Sequence, residues 1–311
     1  MTRTSRTIAT LLVLATAAFT AGCAKAATPA PAEKPVAAAP AFPVTITDDA
    51  SRTVEIAAQP QRIVSLAPAN TEILFALGAG DRVVGVTSYD DYPAEVADIA
   101  KVGDFAGPNI EAVAAAKPDL VLATTGVQAD VIAKLEALGA TVIAVDPQNL
   151  DALYADIAEI GQATGTTDKA SKTVSDMKAQ ADQIRADVAS AEKTTVFVEI
   201  AQSPLYTVGS GTIIDELVTI AGGTNVVTES GYVPYSTEQV VKSNPAVYMA
   251  TKGSMSDPKQ LAKRAGFKSL DAVKNGRVII LDDNLVSRPG PRIMEGLKQI
   301  AQGLHPDLYS N

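Results

Sequence analysis

The sequence predicts an α/β protein of two lobes joined by a long helical connector, and three observations point to it. Short apolar, strand-like runs alternate with helical patterns, as βαβ units and parallel sheet require. An Ala-rich, charged helical stretch at 150–192 divides that alternation in two. The two halves also match one another segment by segment.

The amino terminus sets the compartment. Arg3 and Arg6 precede an apolar run at 8–19 that is too short to span a bilayer comfortably, so residues 1–22 read as a signal peptide. Cys23, the only cysteine, follows Thr20, Ala21 and Gly22, and this approach resembles the lipobox of bacterial lipoproteins. A lipidated Cys23 would hold the protein at a membrane surface without spanning it. Residues 24–43 are almost wholly Ala, Pro, Thr, Lys and Glu and cannot bury enough apolar surface to offset the entropy of ordering. Residues 23–43 are therefore expected to form the lipidated cysteine and a disordered Ala/Pro tether. Loss of Arg3 and Arg6 takes the formal charge from −9 to −11, which argues against nucleic acid as a partner. No cysteine remains for a disulfide, and roughly 265 residues suffice for two lobes held by their own cores.

In the first lobe, 44–149, residues 44–56 read as a hairpin turning at 48–51. A strand at 62–66 leads into a short helix at 70–77 that Gly78 stops. Strands at 83–87, 120–123 and 142–145 follow, with helices near 110–116 and 130–138 between them. The connector is helical, with an interruption at 161–167. The second lobe, 193–311, repeats the design: a strand at 196–200, helices at 213–220 and around Val240, strands at 247–250 and 278–281, and a terminal helix at 291–303.

Residues 109–124 align without gaps on 236–251, with Glu111/Glu238, Val113/Val240, Pro118/Pro245, Ala123/Ala250 and Thr124/Thr251 coinciding. Residues 72–84 align similarly on 215–227. The repeat places Glu111 and Glu238 at equivalent positions, each two residues after an N-cap. An acidic residue there also favours the helix dipole, so the pairing alone leaves a structural role open.

Five motifs resemble those of the cobalamin and iron-siderophore periplasmic binding family of ABC importers. They are Arg62-Ile-Val-Ser-Leu-Ala-Pro-Ala-Asn-Thr-Glu, Ser88-Tyr-Asp-Asp-Tyr-Pro, Val102-Gly-Asp-Phe-Ala-Gly-Pro-Asn-Ile-Glu, Lys117-Pro-Asp-Leu-Val-Leu and Ser287-Arg-Pro-Gly-Pro-Arg. The resemblance implies two Rossmann-like α/β lobes joined by a single long rigid helix, with a ligand cleft between them and modest closure. It implies a substrate-binding lipoprotein, exported and anchored at the outer face of the cytoplasmic membrane or in the periplasm. Such a protein works as a monomer and delivers a metal chelate to a permease dimer with its ATPase subunits. A corrinoid stands ahead of a ferric siderophore, with haem third; no intrinsic cofactor or metal is expected. Glu111 and Glu238 match the family's permease-docking glutamates, one per lobe. The ligand positions fall on Tyr89, Phe105, Tyr206, Tyr235 and Arg288, where ring faces and a few donors suit a large, partly apolar chelate. The chain departs from the cobalamin binders in having no tryptophan, Thr124 standing where one of theirs does.

Other residues read structurally. His305, the only histidine, sits where a helix ends, and bare-metal importers need clusters of His and carboxylates. Arg292 reads as a partner of a nearby carboxylate. Residues 209–212 read as a tight turn, lacking the lysine and spacing of a P-loop. The competing class is a two-lobed extracytoplasmic α/β enzyme, and the sequence offers it no nucleophile elbow, metal cluster or dinucleotide fingerprint.

Overall fold

The structure, a computed structural model, describes residues 42–255 and 257–309. The expected signal peptide, Cys23 and nearly all of the expected tether lie outside them.

The first lobe opens with an antiparallel hairpin of β1 (Val44–Thr47) and β2 (Thr53–Ile56). Asp48 shapes its turn, its Oδ1 accepting the N–H groups of Ala50 (3.1 Å) and Arg52 (2.9 Å). Behind it stands a parallel sheet of β3 (Ile63–Ser65), β4 (Val83–Gly85), β5 (Leu120–Ala123) and β6 (Val142–Ala144), in the order β4-β3-β5-β6. Successive side chains of these strands face opposite ways, which explains their unbroken apolar character. Ile63, Leu120, Leu122 and Ile143 enter one core, while Val64, Val121, Ala123 and Val142 enter another. The lobe's helices are α1 (Pro68–Ala76), α2 (Ile110–Ala115) and α3 (Ala129–Ala137).

The connector region holds two helices, α4 (Leu150–Thr164) and α5 (Thr167–Asp187), parted within the interruption expected at 161–167. The break falls at Gly165, whose φ of 72° takes the left-handed conformation that ends α4. α4 packs on α1 and β1 of the first lobe, and α5 packs on α4 and on helices of the second. At 21 residues, α5 is about 31 Å long and is the single long helix running between the lobes. Its buried residues Ala170, Met177, Ala181 and Ile184 form one stripe.

The second lobe contains β7 (Thr194–Gln202), β8 (Leu205–Val208), β9 (Gly223–Asn225), β10 (Tyr232–Pro234), β11 (Val247–Thr251) and β12 (Val278–Leu281). Its helices are α6 (Ile213–Ile220), α7 (Thr237–Ser243), α8 (Asp271–Lys274), α9 (Asp283–Val286), α10 (Ile293–Leu304) and α11 (Pro306–Tyr309). The parallel order β9-β7-β11-β12 reproduces β4-β3-β5-β6 of the first lobe. The second half of β7 also pairs antiparallel with β8, which pairs with β10, an extension that the first lobe's sheet lacks. The duplication reaches the backbone: Lys117 (φ 48°) and Asn244 (φ 42°), equivalent in the repeat, each hold a left-handed conformation just before a proline.

One apolar core runs through both lobes. It joins Ile63 and Leu120 of the first sheet to Val196, Val247 and Met249 of the second through Leu153, Ile157, Met177 and Ile184 of the connector. Two further clusters fill the outer face of each sheet.

Candidate functional site

A cavity of ≈ 460 Å³ lies between the lobes. From the first lobe it is lined by segments just beyond the carboxyl ends of β3, β4, β5 and β6, where open parallel sheets place their ligand sites. These contribute Ala67 to Asn70, Tyr89, Thr124 and Val145 to Gln148, joined by Phe105 and Ala106 from the loop before α2. The second lobe adds Ile213, Tyr232 and Ser287 to Pro289.

Of the residues expected to meet a ligand, Tyr89, Phe105 and Arg288 line this cavity. Tyr89 is 60% exposed, so its ring face is open to a guest. Tyr206 and Tyr235 are not among the lining residues. Tyr206 lies in β8 opposite Pro234, and Tyr235 turns inward, its ring centroid 5.5 Å from that of Phe197 in the second lobe's outer core. The aromatic that the second lobe does present is Tyr232, 50% exposed at the start of β10. Alternation along that strand exposes Tyr232 and Pro234 while Val233 packs on the core.

Gln128 organises the first-lobe wall and had no signal in the sequence. Fully buried, it donates from Nε2 to the carbonyls of Leu66 (2.7 Å) and Phe105 (2.6 Å), and its Oε1 accepts the Thr124 N–H (2.9 Å). One side chain thus ties together three loops of the cavity.

Arg288 crosses between the lobes. Its Nη1 lies 3.2 Å from Glu72 Oε1 and 2.6 Å from Asp91 Oδ1, and its Nη2 donates to the Tyr89 carbonyl (3.3 Å). Arg292 reaches the same Glu72 oxygen at 3.4 Å and lies 4.0 Å from the centre of the Tyr92 ring, the carboxylate partnership expected of it. Burial pushes the Glu72 carboxyl above its usual range, with Arg292 and Arg288 opposing the shift. Burial also opposes the charge on Arg288, but the carboxylates of Asp91 and Glu72 outweigh it and raise its pKa.

Asp146 is the one acid among the lining residues. Asp146 accepts the Thr125 hydroxyl, and its own N–H donates to Asp49. Asp156, 6% exposed, has one oxygen without a hydrogen-bond partner. Burial together with the charges of Asp49, Glu159 and Asp146 pushes its pKa up to about 8.

Glu111 and Glu238 are not among the lining residues and sit in the first turns of α2 and α7. Both are exposed, and neither enters an ion pair among the described residues. Asn109 caps α2, accepting from the N–H groups of Glu111 and Ala112, and Ser236 caps α7 in a reciprocal box with Gln239. These caps serve the N–H groups of Glu111, Ala112 and Gln239 without the side chain of either glutamate. His305 ends α10 with its Nε2 3.0 Å from the Ala221 carbonyl at the end of α6. The 209–212 segment is a tight turn: a Cβ on Gly209 would meet the Glu229 carbonyl oxygen at 1.9 Å, and Thr212 caps α6.

Two α/β lobes around a shared helix, with an aromatic and arginine-lined cavity between them, define a solute-binding protein. The chain belongs to the periplasmic binding protein family, whose model matches residues 63–285. It is 40% identical over 277 residues to YvrC of Bacillus subtilis, an uncharacterized ABC transporter substrate-binding lipoprotein, covering 86% of this chain and 87% of that one. It is 30% identical over 244 residues to the vitamin B12-binding protein of Vibrio cholerae, covering 77% of this chain and 87% of that one. Among solved structures it matches a possible iron-binding (periplasmic solute-binding) protein from Staphylococcus epidermidis. That match has a TM-score of 0.72 and 36% identity, and covers 80% of this chain and 100% of the other.

Proposed function

We propose that this chain is the substrate-binding lipoprotein of an ABC importer. It captures a metal-chelate nutrient between its lobes, a corrinoid ahead of a ferric siderophore or haem, and hands it to a permease dimer driven by ATPase subunits. The observation that carries the reading is the cavity itself. Tyr89, beyond the carboxyl end of β4, and Phe105, from the loop before α2, share the cavity with Tyr232 of the second lobe and with Arg288. Flat, partly apolar guests need such faces for contact and a few polar groups for orientation. A chelate wider than the cavity is held by one face, with its remainder at the exposed rim beside Tyr89 and Tyr232.

Glu111 and Glu238 serve as the docking points, one on each lobe, and Cys23 carries the lipid. Two like charges at repeat-related positions suit a partner with matching cations in each half, and such pairs set orientation and encounter rate. The relatives that bind vitamin B12 and those named as transporter lipoproteins support this reading.

Isothermal titration of the purified exported chain with cyanocobalamin, ferric siderophores and haem tests it. Saturable binding of one of them at micromolar concentration or below is expected. Phe105→Ala and Tyr232→Ala should each weaken it by about tenfold, since a buried aromatic contact is worth about 1–2 kcal/mol. A folded sample that binds none of these ligands would refute the metal-chelate assignment.

A further inference from the structure

We infer that the cleft selects uncharged or cationic chelates over anionic ones, because its one lining cation is already neutralised within the protein. This rests on the metal-chelate reading above and narrows it to a charge class.

Among the described residues lining the cavity, only Arg288 and Asp146 carry charge. Arg288 has two carboxylates on its Nη1, Glu72 at 3.2 Å and Asp91 at 2.6 Å. Arg292 shares Glu72 and lies 3.8 Å from Glu295, so two arginines stand among three carboxylates. Asp91 is held from its far side as well, its Oδ2 accepting from Asn284 Nδ2 at 3.1 Å. Asp146, by contrast, enters no ion pair among the described residues; its partner is the Thr125 hydroxyl, and behind it stand the carboxyl groups of Asp49 and Asp156. A guest therefore meets no unpaired cation at the Arg288 side of the cavity and an unpaired carboxylate at Asp146.

A guest bearing carboxylates or catecholates finds no unpaired cation, because Arg288 already serves Glu72 and Asp91, and it brings its own charge beside Asp146. Its charge gives up hydration on entering the cavity without gaining an unpaired cation in return. A guest with amide or hydroxamate edges meets no such cost. Guanidinium has five N–H donors, and three are engaged by Glu72, Asp91 and the Tyr89 carbonyl. The remainder can donate to a neutral carbonyl while Asp146 accepts from an amide N–H. Discrimination thus arises from a repulsive element as much as from an attractive one.

The test is a charge series on fixed scaffolds, read by titration calorimetry on the exported chain. Cyanocobalamin is compared with derivatives whose peripheral amides are hydrolysed to one and two carboxylates, and a ferric trihydroxamate with a ferric tris-catecholate. In the scaffold that binds, the uncharged member is expected to bind at least about tenfold more tightly than its anionic counterpart. That ratio should narrow in Asp91→Asn and, independently, in Asp146→Asn, two variants on opposite walls. Equal or tighter binding of the anionic members overturns the inference and leaves the metal-chelate reading standing. No binding by any member removes that reading and the inference with it.

Discussion

Gln128 holds three loops of the cleft with one amide, which makes it a positioning residue for Phe105 and Thr124. Gln128→Leu leaves two carbonyls and an N–H unsatisfied, and should weaken ligand binding by about tenfold. A merely structural loss would add to the loss from Phe105→Ala; action through Phe105 predicts that the double variant is little worse than either single one. Asp156 offers a second test at this scale. Its folded pKa of about 8 stands above an unfolded value of about 4. The folded state therefore binds more protons between those values, and stability should fall as pH rises from about 4 to about 8, then level off. The groups that face it, Asp49, Glu159 and Asp146, are all acidic and reinforce the shift. Asp156→Asn should melt above the parent at pH 8.5, with the difference shrinking toward pH 5. Thermal scans at the two pH values check this, and a difference independent of pH would contradict it.

Helix starts are where the sequence spoke most directly. Asn109 and Ser236 were legible as caps because the side-chain oxygen that accepts from the first turn belongs to the residue just before it. The prolines at 118 and 245 and the strands beyond them were legible for the same local reason. Asn109→Ala and Ser236→Ala should each cost about 1 kcal/mol in chemical denaturation, with unchanged dependence on denaturant. Less legible was the β8–β10 extension. Its strands are short, and its pairing adds an edge to β7 that the first-lobe repeat does not have, so Tyr235 was expected at the cleft where Tyr232 stands. A shift of three residues along a strand moves a side chain to the opposite face.

At the scale of the molecule, the core that runs through both sheets and the connector restrains how far the lobes can part, since separation would expose it. The break at Gly165 leaves α4 with the first lobe and α5 as the helix that carries the second. Under the proposed docking role, delivery depends on surfaces presented by both lobes. Glu111→Ala with Glu238→Ala should leave the solution affinity for ligand within about twofold, while cellular uptake falls by tenfold or more and each single variant lies between. If ligand affinity falls instead, these glutamates belong to the cleft or to folding, and the docking role is withdrawn.

The sequence by itself determined what depends on neighbours in the chain: the order of strands and helices, the caps, the stop at Gly78, the duplication that pairs Glu111 with Glu238, and the motifs that place the chain in its family. Those signals are local because helix and strand periodicity, capping and turn chemistry act over a few residues. Only the tertiary structure decided the composition and charge of the site. Arg288 meets Glu72 across 216 residues and Asp91 across 197, and Gln128 reaches Leu66 across 62. An arginine's meaning to a ligand depends on which carboxylates already face it, and that is set by how two lobes pack, over distances on which no local pattern reports.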